Sequence, residues 1–294
     1  MKVAVIGSSG QLGHDLMRIL PAAGLEAIGF SGRLELDIAN AAAVEAMLES
    51  HRPDAVINTA AFHHVDLCES RPDDAWQINA VAVRDAAKAC QKRKILWMQI
   101  GTDYVAEGWP GCQPIAETAA VCPKSIYAAS RFAGDCLTLA HAPEYGYVVR
   151  TCGLFGIAGC KLKGGLNFVD TMIAAARAGK PLRVVSDQIV APTATDTLSR
   201  QLAALLEHQP GPGLYHAVSH GQCSWHEFAQ TALRMAGLTA TVEPVSSTAF
   251  AAAAIRPRYS VLDNARLRTV GLDLMEDWQK SLQRYIACKY PPPA

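Results

Sequence analysis

The sequence has no excess of charge of either sign: 27 lysines and arginines face 27 aspartates and glutamates across 294 residues. Nucleic-acid binders ordinarily carry a basic excess or a basic stripe, and neither is present. There is no run of 18 apolar residues to span a membrane. The opening MKVAVIGSSG turns to glycine and serine after four apolar residues, too early for a secretory signal. The nine cysteines form no CxxC pair and no metal-type spacing, in a chain too long to need disulfide staples. They read as reduced thiols that mostly fill core, and the compartment as the cytoplasm. No repeat of 20 to 50 residues is visible. His63 and His64 are adjacent and point apart, and His216 and His220 lie on a strand followed by a loop. Neither pair converges as metal ligands must, so no metal is expected.

What is present is alternation. KVAVIG, LEAIGF, DAVINTAA, KILWMQIGTDYV and GYVVRTCGLFG read as strands. Between them GQLGHDLMRILPAAG, NAAAVEAMLESHRP, PDDAWQINAVAVRDAAKACQKR and SIYAASRFAGDCLTLAHAPE read as helices. Near-continuous apolar strands alternating with helices predict a parallel sheet covered on both faces. The fold class is therefore α/β, a Rossmann-like doubly wound sheet with a smaller C-terminal lobe. Residues 1–155 are assigned to the nucleotide-binding domain and 156–294 mainly to a substrate-binding lobe, with parts of 182–218 returning to complete the sheet. In that lobe SWHEFAQTALRMAG is a helix, with Ser224 and Glu227 spaced as a capping box. Lys161 and Lys163, in a glycine-rich loop, either attract a diphosphate or are simply solvated.

GSSGQLG follows the first strand and opens the first helix, placing Gly7, Gly10 and Gly13 in a GxxGxxG pattern. Glycines there let backbone amides approach a pyrophosphate, and the helix N-terminus favours its charge. NAD sites commonly carry an acidic residue about 20 positions further on. Here the second strand ends in GFSGR, whose Ser31 and Arg33 suit a 2′-phosphate, though Arg33 also fits a solvated turn. NADP(H) is the favoured cofactor and NAD(H) the alternative. Asp37 either caps a local turn or meets the adenine.

In SIYAASRFAGD, Tyr127 and Arg131 are four residues apart and share a helix face. A phenol beside a cation is a proton donor suited to carbonyl reduction, since the charge stabilises the phenolate. A guanidinium, however, does not give up its proton. GTDYV ends the fourth strand, at the carboxyl edge where open α/β sheets hold ligands. Thr102 there can hydrogen-bond the same substrate oxygen, and Asp103 and Tyr104 are the next polar groups on the rim. The catalytic set is Tyr127, Thr102 and Arg131.

Eleven segments, GSSGQLG, LDI, RPDAVINTAAFHHVD, INAVAVRDAA, GTDYV, YAASRFAGD, VVRTCGLFG, GGLNFVDTM, VVSDQIVAPT, GLYHAVSHGQCSWHEFA and RPRYSVLDN, follow one another as in dTDP-4-dehydrorhamnose reductases. The chain resembles that family, among the extended short-chain dehydrogenase/reductases, over nearly its whole length. The resemblance implies NADPH- or NADH-dependent reduction of the 4-keto group of a dTDP-6-deoxy-hexulose, the last step toward dTDP-L-rhamnose, by a monomer or homodimer. It also implies that Gly7, Gly10, Gln11, Leu12 and Gly13 hold the pyrophosphate. Asp37 and Ile38 would flank the adenine, while Ala60, Ala61, Phe62 and Asn79 would line the cofactor near the third strand. Val65, Asp66, Asp103, Tyr104, Gly153, Asn167 and Arg256 would meet the sugar nucleotide. Two positions depart from the family pattern: Arg131 replaces a lysine, and Gly153 replaces a tryptophan frequent there. These departures motivate the alternatives, a nucleotide-binding regulatory subunit with an impaired site or a reductase of another nucleotide sugar.

Overall fold

The structure, a computed structural model, describes residues 1–159 and 164–291. Lys161 and Lys163 lie outside the described residues. The strands are β1 (Lys2–Ile6), β2 (Glu26–Phe30), β3 (Ala55–Asn58), β4 (Leu96–Thr102), β5 (Gly146–Thr151), β6 (Leu154–Phe155), β7 (Leu182–Val185), β8 (Ile189–Val190), β9 (Thr193–Ala194), β10 (Gly213–His216), β11 (Cys223–Ser224) and β12 (Val242–Val245). The helices are α1 (Gln11–Ala22), α2 (Ala41–His51), α3 (Val65–Ser70), α4 (Pro72–Trp76), α5 (Ala82–Arg93), α6 (Ile126–His141), α7 (Phe168–Arg177), α8 (Thr195–His208), α9 (Trp225–Met235), α10 (Ala265–Thr269) and α11 (Trp278–Lys289).

Six strands form one sheet in the order β10-β5-β4-β3-β1-β2, with every neighbouring pair parallel. Every residue of β3, β4 and β5 is buried, the pattern of a sheet covered on both faces. The order reverses at β1, so a crevice opens outside the carboxyl ends of β1 and β3.

One face of the sheet is sealed by α1 and α8: Leu12, Leu16 and Leu20 pack with Leu198, Leu202, Leu205 and Leu206 over Val3 and Val5. The opposite face is sealed by α2 and α5 through Val44, Leu48, Val83 and Ala87 around Trp97. A third core joins Phe155, Phe228, Trp278 and Tyr285 between α9, α11 and the β7–β12 pair. Part of the segment 182–218 returns to the main sheet. Gly213–His216 pairs with β5, whereas Leu182–Val185 pairs with β12 in a separate sheet. In compensation, α8, Leu267 and Met275 enter the core beneath the sheet.

The long helix read over PDDAWQINAVAVRDAAKACQKR is continuous but contains a π-helical turn, Gln77–Val81. A Cβ on Gly134 would sit 2.2 Å from the Asn79 carbonyl oxygen, so glycine is what lets α6 press against that turn. The capping box at Ser224 and Glu227 is present, with both of its hydrogen bonds formed.

Candidate active site

The site lies where the carboxyl ends of β1, β3, β4 and β5 face the start of α6. Gly10 occupies the N-cap of α1 in an extended conformation with no side-chain cap, so the first amides of the helix have no intrahelical partner. Gly7 has φ +84°, and a Cβ on Gly13 would lie 2.2 Å from the Gly7 carbonyl oxygen. Only glycines allow this cradle, which presents backbone donors to a pyrophosphate. The Gln11 amide donates to the Leu154 carbonyl at 2.9 Å, while Leu12 turns inward to the core beneath the sheet.

At the end of β2 the Ser31 amide donates to the Glu35 carboxylate at 2.5 Å, and Arg33 stands exposed beside it. A carboxylate and a guanidinium therefore stand just beyond the end of β2. Asp37 accepts from the Ala39 amide at 3.0 Å, which caps a turn, and Ile38 packs in the core under α2. Ala60 and Phe62 rest half-buried against that core, with Ala61 between them. Asn79 is buried beside the loop after β3. Its side chain accepts from the Phe62 amide at 2.9 Å and donates to the Phe62 carbonyl at 3.0 Å and the Ser130 hydroxyl at 3.1 Å. It acts by fixing the loop after β3 to α6.

Helix α6 is held at its first turn by two glutamates that sequence reading did not single out. Glu107 accepts from the Lys124 and Ser125 amides, both at 2.7 Å, and from the Ser125 hydroxyl at 2.6 Å. Glu69 accepts from the Ile126 amide at 2.8 Å. Ser125 is the N-cap, and Tyr127 follows two residues later. The phenol is therefore placed by α3 and by the loop after β4 together. Neither glutamate has a local sequence signature, because each partner lies at least 17 residues away.

Tyr127 is 8% exposed and packs with Phe62, Val65, Cys68, Tyr104 and Ile126. The Tyr104 ring meets it edge-on at 5.3 Å. The Arg131 guanidinium lies 6.0 Å from the centre of the Tyr127 ring, as the four-residue spacing predicts. It donates to the Ile100 carbonyl, and its Nε is buried without a partner among the described residues. Burial pushes the phenol pKa above its ordinary value; Arg131 is the strongest opposing influence and the Thr102 side chain the next. The cation thus moderates the phenol but does not outweigh its desolvation.

Thr102 ends β4 opposite Thr151 of β5. Its hydroxyl donates to the Asp103 carboxylate at 3.3 Å and accepts from the Tyr104 amide at 3.3 Å. Asp103 is 5% exposed and also accepts from the Cys152 thiol at 3.1 Å. Burial and the neighbouring Asp103 hold the Cys152 thiol well above its ordinary pKa, so this cysteine is no activated nucleophile.

The residues expected at the sugar nucleotide divide. Val65 and Tyr104 border Tyr127. Asp66 is paired with Arg256 through two bonds of 3.0 and 2.7 Å, and also accepts from the Ala254 amide. The Arg256 guanidinium holds Asp66 down at about 2. Gly153 adopts φ +50°, and a Cβ there would meet the Trp225 ring at 3.4 Å, so an indole from α9 borders this position. Asn167 caps α7 by accepting from the Asp170 amide at 3.0 Å, and its side-chain amide donates to the Gly156 carbonyl at 3.0 Å and the Tyr285 hydroxyl at 2.8 Å. Its role is to seat α7 on α11. Among the described residues no cluster of histidine, cysteine, aspartate or glutamate could hold a metal, and no helix is long and apolar enough to cross a membrane.

A nicotinamide dinucleotide fits these residues. The uncapped α1 N-terminus and glycine cradle suit the pyrophosphate, and Arg131 Nε and Gln11 Oε1, buried without a partner among the described residues, suit polar groups of a ligand. A parallel sheet with this cradle at its reversal point and a threonine–tyrosine pair beside it defines an NAD(P)H-dependent oxidoreductase of the short-chain dehydrogenase/reductase type. The comparisons narrow the class. The family profile of the RmlD substrate binding domain matches residues 1–290. A dTDP-4-dehydrorhamnose reductase of Streptomyces griseus is 38% identical over 95% of this chain and 90% of its own. A dTDP-4-keto-6-deoxy-D-glucose reductase of Streptomyces niveus is 32% identical over 95% of this chain and 94% of its own. The crystal structure of dTDP-4-dehydrorhamnose reductase from Bacillus anthracis in complex with NADP superposes with a TM-score of 0.90 at 34% identity, covering 97% of this chain and 98% of that one. The chain belongs to the RmlD-type dTDP-4-dehydrorhamnose reductase family.

Proposed function

We propose that the protein reduces the 4-keto group of a dTDP-linked 6-deoxy-hexulose with NADPH, giving the dTDP-6-deoxy-hexose of the rhamnose route. The observation that carries this reading is the convergence of Thr102, Tyr127 and Arg131 at the carboxyl edge of the sheet, beside the glycine cradle. A bound reduced nicotinamide supplies the hydride. Tyr127 gives its phenolic proton to the carbonyl oxygen, Thr102 hydrogen-bonds that oxygen, and Arg131 holds the ribose side of the cleft through its unpartnered Nε. Burial excludes water, which strengthens each of these interactions. Arg33 favours NADPH through charge-assisted bonds to a 2′-phosphate, with Glu35 as the opposing charge. The relatives named above are reductases, which does not favour the reading as a binding subunit.

The test is NADPH oxidation with dTDP-4-dehydrorhamnose and, separately, dTDP-4-keto-6-deoxy-D-glucose. Turnover of the first that is abolished in Tyr127→Phe supports the proposal. Turnover of the second alone overturns the sugar assignment. Neither substrate turning over, with NADPH still bound, overturns the reductase reading.

A further inference from the structure

The phenol that protonates the substrate must be reprotonated, and its neighbouring cation cannot do this, because a guanidinium stays charged in proteins. We propose that Asp103, acting through the Thr102 hydroxyl, resupplies the proton that Tyr127 delivers to the substrate oxygen. This inference rests on the reductase reading above.

The geometry places a carboxyl one hydroxyl away from the phenol. Thr102 Oγ1 lies 3.3 Å from Asp103 Oδ1, a bond the hydroxyl donates to the carboxylate and accepts from the protonated carboxyl, which frees the hydroxyl proton for Tyr127. The same oxygen accepts from the amide of Tyr104, whose ring meets the Tyr127 ring edge-on at 5.3 Å, and the Thr102 side chain favours the phenolate form of Tyr127. Thr102 therefore stands between the two. The surroundings of Asp103 suit a carboxyl that carries a proton. It is buried, and the groups facing it are Thr102 from β4, Tyr104 beside it, Tyr127 from α6, Cys152 beyond β5 and Ser260 from the segment after Arg256. None of these is a cation, and among the described residues Asp103 forms no ion pair; the cations Arg131 and Arg256 act on its neighbours Tyr127 and Tyr104. Asp135, equally buried, shows the contrast, because its carboxylate is paired with Arg150 at 2.8 Å. A buried carboxyl without a counter-charge binds its proton more tightly than in water, and burial is the dominant influence on Asp103, opposed by donors from Ser260, Cys152 and Thr102.

The steps balance. As the reduced dinucleotide is oxidised and the ketone reduced, the Tyr127 O–H bond breaks and the O–H bond of the product alcohol forms. The phenolate takes the Thr102 proton, and the Thr102 oxygen takes the carboxyl proton of Asp103. Asp103 is left as a carboxylate and regains one proton from solvent before the next turnover. A residue that merely tied Cys152, Ser260 and Thr102 together would need no proton of its own, and this difference is measurable.

The experiment compares kcat, KM and the pH profile of the wild type, Asp103→Asn, Arg131→Lys/Asp103→Asn and Ser260→Ala with dTDP-4-dehydrorhamnose and NADPH. The asparagine keeps an acceptor for Thr102 but has no acidic proton. Asp103→Asn is expected to lose about tenfold or more in kcat, with a much smaller change in KM. The lysine ammonium is a proton donor at a position that faces the phenol, so the double variant should regain most of that loss. Wild-type kcat should fall as pH rises through the Asp103 titration. Ser260→Ala, which removes a donor to the carboxylate, should move that limb to higher pH. An unchanged kcat in Asp103→Asn, a loss confined to KM, or no recovery with the lysine overturns the relay. If Asp103→Asn does not fold, Ser260→Ala decides, and an unshifted limb overturns the relay. A wild type silent on both dTDP ketosugars overturns the reductase reading together with this one, whereas an active wild type with an equally active Asp103→Asn overturns the relay alone.

Discussion

Tyr127 shows how far a single side chain depends on what surrounds it. Desolvation raises its pKa against the pull of Arg131, so the phenol holds its proton in the resting site and yields it to an oxygen that is gaining negative charge. Tyr127→Phe should therefore lower kcat by roughly 100-fold or more while leaving NADPH binding intact, measured by steady-state kinetics and a fluorescence titration. Cys152 lies at the same rim, but its thiol is protonated and 2% exposed. Iodoacetamide at pH 7 should leave activity unchanged, and mass spectrometry should find Cys152 unmodified after exposed Cys112, Cys122, Cys136 and Cys288 have reacted. At this scale the sequence was legible wherever chemistry and local spacing coincide. Tyr127 and Arg131 are one helical turn apart, and Thr102 ends a strand. Asn79 and Asn167 were assigned to ligands because their motifs resemble the family's. In the structure the Asn79 amide also holds the Phe62 backbone and the Ser130 hydroxyl, and the Asn167 amide the Gly156 carbonyl and the Tyr285 hydroxyl, partners from distant segments that no local pattern reveals.

At the scale of elements, the decisive question is what fixes the first turn of α6. Glu107 accepts three bonds from Lys124 and Ser125, and Glu69 accepts one from Ile126, so the helix start is tied to the rim of β4 and to α3. Glu107→Gln keeps one acceptor oxygen and loses the charge that strengthens these bonds. It should cost about 1–3 kcal/mol in thermal unfolding and lower kcat more than KM, because Tyr127 sits two residues beyond the anchored Ser125. Full kcat with lowered stability would show that the tyrosine is placed without this anchor. The strand–helix alternation of the first half was legible because near-continuous apolar strands and amphipathic helices differ in period. Helix α8 went unassigned although Leu198, Leu202 and Leu205 follow helical spacing. Its signal was masked by threonines and alanines that read as strand ends, and by its burial between α1 and the C-terminal segments. The π turn is invisible to periodicity, since it adds one residue inside an otherwise regular helix.

At the scale of the molecule, distant segments are joined by ionisable groups, and acid should loosen them in a defined order. His216 ends β10 at the sheet edge, and its Nδ1 faces the carbonyls of Ile115 at 3.0 Å and Asp263 at 3.2 Å. Two acceptors at one nitrogen fix the proton there, leaving Nε2 buried without a partner among the described residues. Burial, with Arg150 adding to it, lowers the His216 pKa to about 3. Its unfolded value is near ~6.5. Between these values the unfolded chain binds a proton that the folded chain refuses, so stability falls as pH drops from about 6.5 toward 3. The Asp66–Arg256 pair, which ties α3 to the segment before Ser260, acts later. Asp66 falls from an ordinary 3.8 to about 2 on folding, so its contribution is present above 3.8 and is lost as pH falls toward 2. Denaturant unfolding at successive pH values separates the two. His216→Phe should be less stable than wild type at pH 7, because two carbonyls lose their donor, yet show a shallower decline between pH 6.5 and 4. Asp66→Asn should leave that region unchanged and flatten the decline below pH 4. A wild-type stability that is level from pH 7 to 4 would mean that His216 takes up its proton in the folded sheet, and that the edge at β10 opens to solvent far more readily than its packing implies.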